Sequence, residues 1–238
     1  MKTVCSPRRA FGLTPIMACL IAGAAAGLAP AHANPSVCGN PFVNHFGPVD
    51  FRKSGKAVRE MVQKVHFTPG IETMTRPGTT MLHDMAADVA YTLEVFPNHH
   101  RALLTMQRLS ERHKVDPAPG GRLIVECWYK RAAQYTPDDT VVRALYAQYL
   151  GKLGRKAEAA GQLRQAAEHA KDNPLSHYNI GLVAFEIGDP DLALKQAHRA
   201  LELGFTQTGL ADRLRQANRW ADPVAAAAAG AAPGSAPN

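Results

Sequence analysis

A pattern of small and apolar residues repeats at a spacing of 34 along the C-terminal half of this 238-residue chain. Residues 140–173 align with residues 174–207 without a gap. Tyr146 then meets Ile180, Ala147 meets Gly181, Leu150 meets Ala184, Gly154 meets Gly188, Ala159 meets Ala193, Leu163 meets Ala197 and Ala166 meets Ala200. Each pair sets a small or apolar side chain where two short antiparallel helices must approach closely, with the two glycines in the turn between them. Such a period restricts the chain to stacked helical hairpins, which share a continuous core and present extended faces for binding rather than a closed pocket.

The pieces Tyr178-Asn179-Ile180-Gly181, Gly188-Asp189, Ala193 and Ala200-Leu201-Glu202-Leu203 together resemble the core signature of the tetratricopeptide repeat family. The match over 140–173 is looser, because Ala147 stands where the first-helix glycine is usual. One step upstream, residues 121–139 resemble the second helix and exit of another repeat through Val125, Tyr129, Ala132 and Pro137. Pro97 lies 40 residues before Pro137, six more than the period. The loop Val115-Asp116-Pro117-Ala118-Pro119-Gly120-Gly121, which no helix tolerates, accommodates the excess. The resemblance stops before about Met81. It implies an all-α fold, a right-handed superhelix of about three helix-turn-helix repeats.

Counting outward from the repeats predicts helices over 81–96, 99–113, 122–135, 137–152, 155–171, 174–187 and 190–203. Thr136-Pro137, Asn173-Pro174 and Asp189-Pro190 each place a capping side chain before a proline suited to a first helical position. A last helix over 205–220, polar on one side through Arg213, Arg215, Gln216 and Arg219, is expected to cap the array.

The flanks differ in kind. Residues 34–80 are rich in Pro, Gly and aromatics and predict irregular chain with one short amphipathic helix over 56–65, through Val58, Met61, Val62 and Val65. That helix is expected to pack against the one beginning at Met81. From Ala221 to 238 the chain is mostly Ala, Gly and Pro, has little to bury and is expected to be disordered. Residues 1–33 hold Lys2, Arg8 and Arg9, an apolar stretch from Leu13 to Ala29, and Ala31-His32-Ala33, a small-x-small cleavage pattern. They read as an export signal cleaved before Asn34, which predicts a periplasmic protein. Arg8-Arg9-Ala10-Phe11-Gly12-Leu13 resembles a twin-arginine signal, with Pro7 where Ser or Thr is usual. Ile16-Met17-Ala18-Cys19 is a fainter lipoprotein pattern. No later segment is apolar enough to span a bilayer.

Removing the signal takes three of the 27 basic residues and none of the 20 acidic ones, so the net charge falls from +7 to +4. Basic patches interleaved with aromatics are missing, which argues against a nucleic-acid partner. Of four cysteines, Cys5 and Cys19 leave with the signal. In an oxidising compartment Cys38 and Cys127 are most simply a disulfide, although two separate buried thiols are the alternative. They form no CxxC or zinc pattern.

The best cluster for chemistry is Phe96-Pro97-Asn98-His99-His100-Arg101, with His83, Asp84 and Asp88 on the helix before it. Neighbouring helical residues point about 100 degrees apart, so His99 and His100 do not easily share an ion. The chain has no HExxH, GxSxG, Walker loop or CxxCH. A polar helix junction is the plainer reading.

In the tetratricopeptide family the first helices line a concave groove. The matching positions here are Leu175, Tyr178, Asn179, Leu182 and Phe185 in the last hairpin, and Val141, Ala144, Gln148 and Lys152 in the middle one. In the first hairpin they are Arg101, Leu104, Thr105, Arg108 and Arg112. Asn179 matches an asparagine that bonds the ligand backbone in peptide-binding members. Leu145 stands where chaperone-binding members carry a second asparagine, which disfavours a cytosolic chaperone adaptor. Arg101, Arg108 and Arg112 lie near one helix face and, with Lys152, predict a groove basic at one end and apolar at the other. Such a surface suits an extended peptide with an acidic and an apolar part. The ordinary alternative is that the arginines are a solvated face and that Tyr178, Leu182 and Phe185 pack on neighbours.

These features predict an exported cell-envelope interaction module that binds a protein or peptide and uses no cofactor or metal. The alternatives are a metal-binding or enzymatic protein using His83, His99 and His100, and an accessory factor of envelope polysaccharide or secretion machinery.

Overall fold

The computed structural model describes residues 38–44, 47–75 and 82–222, with side chains from residue 85 onward in the last span. The expected signal at 1–33 and nearly all of the expected disordered tail lie outside the described residues. Ten helices and no strand are present among the described residues. They are α1 (Lys56–His66), α2 (Pro69–Glu72), α3 (Leu82–Val95), α4 (His100–His113), α5 (Val125–Tyr135), α6 (Thr140–Lys152), α7 (Lys156–Ala170), α8 (Pro174–Glu186), α9 (Pro190–Glu202) and α10 (Gly209–Gln216).

The period of 34 is present in the helices themselves. Thr140 and Pro174 open α6 and α8, and Lys156 and Pro190 open α7 and α9, so each helix of one pair begins 34 residues before its counterpart. The pairs also turn alike. Gly154 and Gly188 adopt φ of +75° and +82°, a conformation that Gly enters without a Cβ clash. The next residue's N–H returns to the helix, from Arg155 to the Leu150 carbonyl at 3.0 Å and from Asp189 to the Ala184 carbonyl at 2.9 Å. That reversal satisfies carbonyls the helix end would leave open. A connection of three residues then makes α6 and α7, and likewise α8 and α9, antiparallel neighbours.

Helix starts follow their caps. Asn173 Oδ1 accepts the Ser176 N–H at 3.0 Å and Asp189 Oδ1 accepts the Leu192 N–H at 3.0 Å, each with Pro at the first helical position. The third expected start, at Thr136-Pro137, is corrected. Thr136 instead closes α5, its hydroxyl donating to the Ala132 carbonyl at 3.0 Å, and α6 begins at Thr140 under the cap of Asp139. The final helix is shorter than expected, because Gly204 at φ +85° turns the chain out of α9 and the helix resumes only at Gly209. The four-residue α2, capped by Thr68, has no counterpart in the expected map.

Helices α2, α4, α6, α8 and α10 each touch the next in one row, and α3, α5, α7 and α9 pack behind, each against the following member of that row. Their shared core runs from Phe67 and Ile71 through Trp128, Tyr129, Tyr146 and Leu163 to Ile180 and Leu210. Close approach depends on small residues there. A Cβ on Gly181 would strike Leu210 and press on the Ala193 carbonyl oxygen at 3.3 Å.

The N-terminal segment is tied to the helices at several points. Cys38 and Cys127 form a disulfide, with their Cα atoms 4.9 Å apart. Arg131 donates to the Cys38 carbonyl at 3.1 Å, and the Tyr135 hydroxyl donates to the Pro48 carbonyl at 2.7 Å. Closing a loop across 89 positions restricts the unfolded chain far more than the folded one. Replacing Cys127 with Ser is therefore expected to lower the unfolding free energy by about 4 kcal/mol, and reductant should do the same to the native chain but nothing further to the variant. Denaturant titrations would check this; a loss under about 1 kcal/mol would mean that the polar ties alone hold the segment.

Candidate partner-binding groove

Between α6 and α8 the row of first helices opens into a groove of about 290 Å³. Its walls are apolar, from Val141, Ala144, Leu182 and Val183. At one end the hydroxyls of Thr140 and Ser176 meet at 3.3 Å. At the other, Gln148 donates to the Glu186 carboxylate at 2.8 Å, and Arg213 approaches the same carboxylate at 3.9 Å. Asn179 lines the groove, is exposed, and its side-chain amide has no hydrogen-bond partner among the described residues. A primary amide can donate and accept at once, the pairing an extended peptide backbone requires.

The expected groove residues thus divide. Gln148, Asn179 and Leu182 line it, together with Val141 and Ala144. Leu175 is exposed outside it. Tyr178 turns the other way, its ring 4.6 Å from that of Phe205, beneath the chain that leads into α10. Gly209 makes the room, since a Cβ there would lie 2.9 Å from the Tyr178 hydroxyl. Phe185 is half-buried against the core. Glu186 and the Thr140–Ser176 pair lie outside the groove positions that the repeat family implies, yet they form the two polar ends.

The basic residues divide as well. Arg101 pairs with Glu72 of α2, and Lys152 reaches Glu111 across to α4 at 2.9 Å. Burial alone would raise the Glu111 pKa, but hydrogen bonds from Gln107 and Lys152 outweigh it and hold the carboxyl below its ordinary value. Arg108 and Arg112 are exposed and have no ion-pair partner among the described residues. The positive charge of this face that forms no ion pair is therefore theirs, although Arg108 lies near enough to Glu111 to favour its ionised form. Thr105 is buried instead of facing a groove, its hydroxyl near the Glu72 carbonyl.

The histidine cluster is a junction. His99 is fully buried and caps α4, its Nδ1 accepting the Ala102 N–H at 3.1 Å. The neutral ring then carries its proton on Nε2, 3.0 Å from the Gln63 side-chain nitrogen, and that contact is a hydrogen bond once the Gln63 amide is turned to present its oxygen. Phe51 and Phe67 pack on the ring at 4.1 and 4.7 Å. His100 Nε2 bonds the Asp139 carboxylate at 2.9 Å. Asn98 donates to Asp50 at 2.7 Å and to Asp139 at 3.0 Å, while its oxygen accepts the Phe51 N–H at 2.9 Å. Among the described residues no three His, Cys, Asp or Glu side chains converge to hold a metal ion. The His83 side chain lies outside those described.

No family model matches the chain, no curated protein matches it, and no solved structure matches it. Any functional reading therefore stands on the chain's own residues.

Burial pushes the His99 pKa down to about 4, with His100 and Arg101 nearby adding to the effect. The unfolded chain takes up a proton at an ordinary imidazole pKa of about 6.5, whereas the folded chain resists until about 4, so stability present above pH 6.5 is lost as pH falls through that window. The expected loss is about 3 kcal/mol. Asn at this position keeps a capping side chain but cannot titrate. Denaturant midpoints from pH 7.5 to 4.5 should fall less steeply for His99→Asn than for the native chain; parallel slopes would contradict the assignment.

Proposed function

We propose that this chain is an exported interaction module of the tetratricopeptide repeat type, and not an enzyme. On this reading its first helices form the inner row of a right-handed superhelix, α10 caps the last hairpin, and the groove between α6 and α8 holds an extended segment of a partner protein in the cell envelope. The observation that carries it is the groove itself: apolar walls, two polar ends, and the unengaged amide of Asn179 between them. The 34-residue offset between equivalent helices supports the repeat assignment. The Cys38–Cys127 disulfide fits an oxidising compartment such as the periplasm. No helix among the described residues is long and apolar enough to cross a membrane.

The exposed Arg108 and Arg112 place positive charge on α4, and Val141 and Leu182 supply apolar contact further along the row. A ligand with an acidic part followed by an aliphatic or aromatic part complements that order. The alternative that uses His99 and His100 for metal or proton chemistry gains nothing from the geometry, because the ring nitrogens of His99 are engaged within the fold and His100 is bonded to a capping carboxylate.

Crosslinking in envelope fractions followed by recovery of the chain tests the reading. The pair Arg108→Glu and Arg112→Glu, and separately Asn179→Ala with Leu182→Asp, should each reduce partner recovery by at least about fivefold, while far-UV circular dichroism stays native. Undiminished recovery with both variants would remove the groove as the binding site.

A further inference from the structure

A helix on the surface of a folded domain ordinarily turns its apolar stripe toward the core. Helix α1 does not. Of its four large apolar side chains only Val62 is buried, against Val95 and Phe96. Val58, Met61 and Val65 are 38%, 68% and 59% exposed. Their spacing of three and four residues places them on one face. The side that faces the protein carries polar groups instead: Arg59 lies over the Phe51 ring at 5.9 Å, Gln63 reaches His99, and His66 Nδ1 meets Asp88 at 2.8 Å. Helix α1 does pack against α3 as expected, but through Val62 and these polar groups, not through the rest of its apolar stripe. The reason is local, since His99, Asp88 and Phe51 offer polar or ring partners where an aliphatic stripe would leave them unmet.

The stripe is set in positive charge. Lys64 borders it and Lys53 and Lys56 stand at the start of the helix, all three largely exposed, with Lys53 3.6 Å from the Asp50 carboxylate. Glu60, the one acidic residue of α1, sits between Lys56 and Lys64 at 3.6 and 3.4 Å. Glu60, Gln63 and Lys64 edge a separate hollow shared with Thr68, Glu72 and Arg101, and Val58, Met61 and Val65 are not among the residues that line it.

We infer that α1 is a contact helix for an anionic phospholipid surface, with Val58, Met61 and Val65 entering the headgroup boundary while Lys53, Lys56 and Lys64 meet lipid phosphates. Exposed apolar side chains flanked by lysine are what such a surface attracts. A second copy of the chain fits less well. Three side chains on an 11-residue helix, about 16 Å long, offer far less than the roughly 800 Å² per partner that a stable dimer buries. The same arithmetic does not limit a membrane, where each inserted side chain and each lysine adds its own share and the rest of the protein stays in water.

The inference is independent of the groove. The purified full chain should co-sediment with vesicles of phosphatidylcholine mixed with phosphatidylglycerol and remain in the supernatant with phosphatidylcholine alone. Met61→Ser with Val65→Ser, and separately Lys53→Glu with Lys64→Glu, should each cut the sedimented fraction at least about fivefold. Both variants alter exposed side chains, so helicity and Tm should stay native and exclude unfolding as the cause. The Arg108→Glu and Arg112→Glu chain should sediment like the native one, which separates this surface from the groove. No sedimentation of the native chain, or sedimentation that neither pair of substitutions reduces, would overturn the assignment. So would sedimentation velocity showing a dimer that Met61→Ser with Val65→Ser converts to monomer while vesicle binding is unchanged, since the stripe would then belong to a second copy.

Discussion

Asp139 is a carboxylate with almost no contact with water, and a charge so placed is tolerated only when donors surround it. They come from three parts of the chain. The N–H groups of Val141 and Val142 bind it at 3.1 Å each, which fixes the start of α6. His100 binds it from the start of α4, and Asn98 from the connection between α3 and α4. Through Asn98 it is joined to Asp50, and Arg52 spans Asp50, Asp138 and Asp139 at 2.7, 3.0 and 3.4 Å. Burial opposes the charge on Asp139, yet the hydrogen bonds from His100, Asn98 and Val142 prevail and its pKa lies below the ordinary value. One side chain therefore sets the relation of α4 to α6 and holds the N-terminal segment against both.

A second junction links the same two hairpins at another point. Arg155, in the turn before α7, binds Glu126 of α5 at 2.8 Å and Glu158 at 2.6 Å, and the Tyr146 hydroxyl adds a bond to Glu126 at 3.1 Å. Glu126 is nearly buried and its pKa is held down to about 2, the pull of its cationic partners exceeding the burial penalty. Both junctions use a carboxylate at a helix boundary to bridge from one hairpin to the next. Packing of small residues brings the helices close, and these bridges fix how neighbouring pairs meet. The groove lies one step further along the row, where α6 and α8 are joined by the Thr140–Ser176 and Gln148–Glu186 contacts.

Where a structural rule is local, the residues announce it. Asn173, Pro174, Asp189 and Pro190 mark two helix starts within a few positions, and Gly154 and Gly188 mark two turns. The same local rule misplaces the start of α6, because Thr136-Pro137 has the form of a cap and Asp139, three positions on, holds the stronger acceptor. Long-range matters are hidden. Nothing near Asn98 foretells that it joins Asp50 to Asp139, 48 residues before and 41 after it. The groove is legible in Gln148, Asn179 and Leu182, whose positions derive from the repeat. It is not legible in Tyr178, whose direction is decided by Phe205 at the end of the repeat and Gly209 beyond it, nor in Arg101, whose partner belongs to a helix too short to leave a periodic trace.

The disulfide has a mechanical consequence. A pull on the two ends of the described chain passes from Cys38 to Cys127 through the sulfur bridge, so the intervening residues, with all of α1 to α4, carry no tension along their backbone. The load falls beyond Cys127, on the rest of α5 and the helices α6 to α10. If a partner tugs on the C-terminal hairpins, extension is confined to the repeated part, and the N-terminal helices stay folded as a fixed anchor.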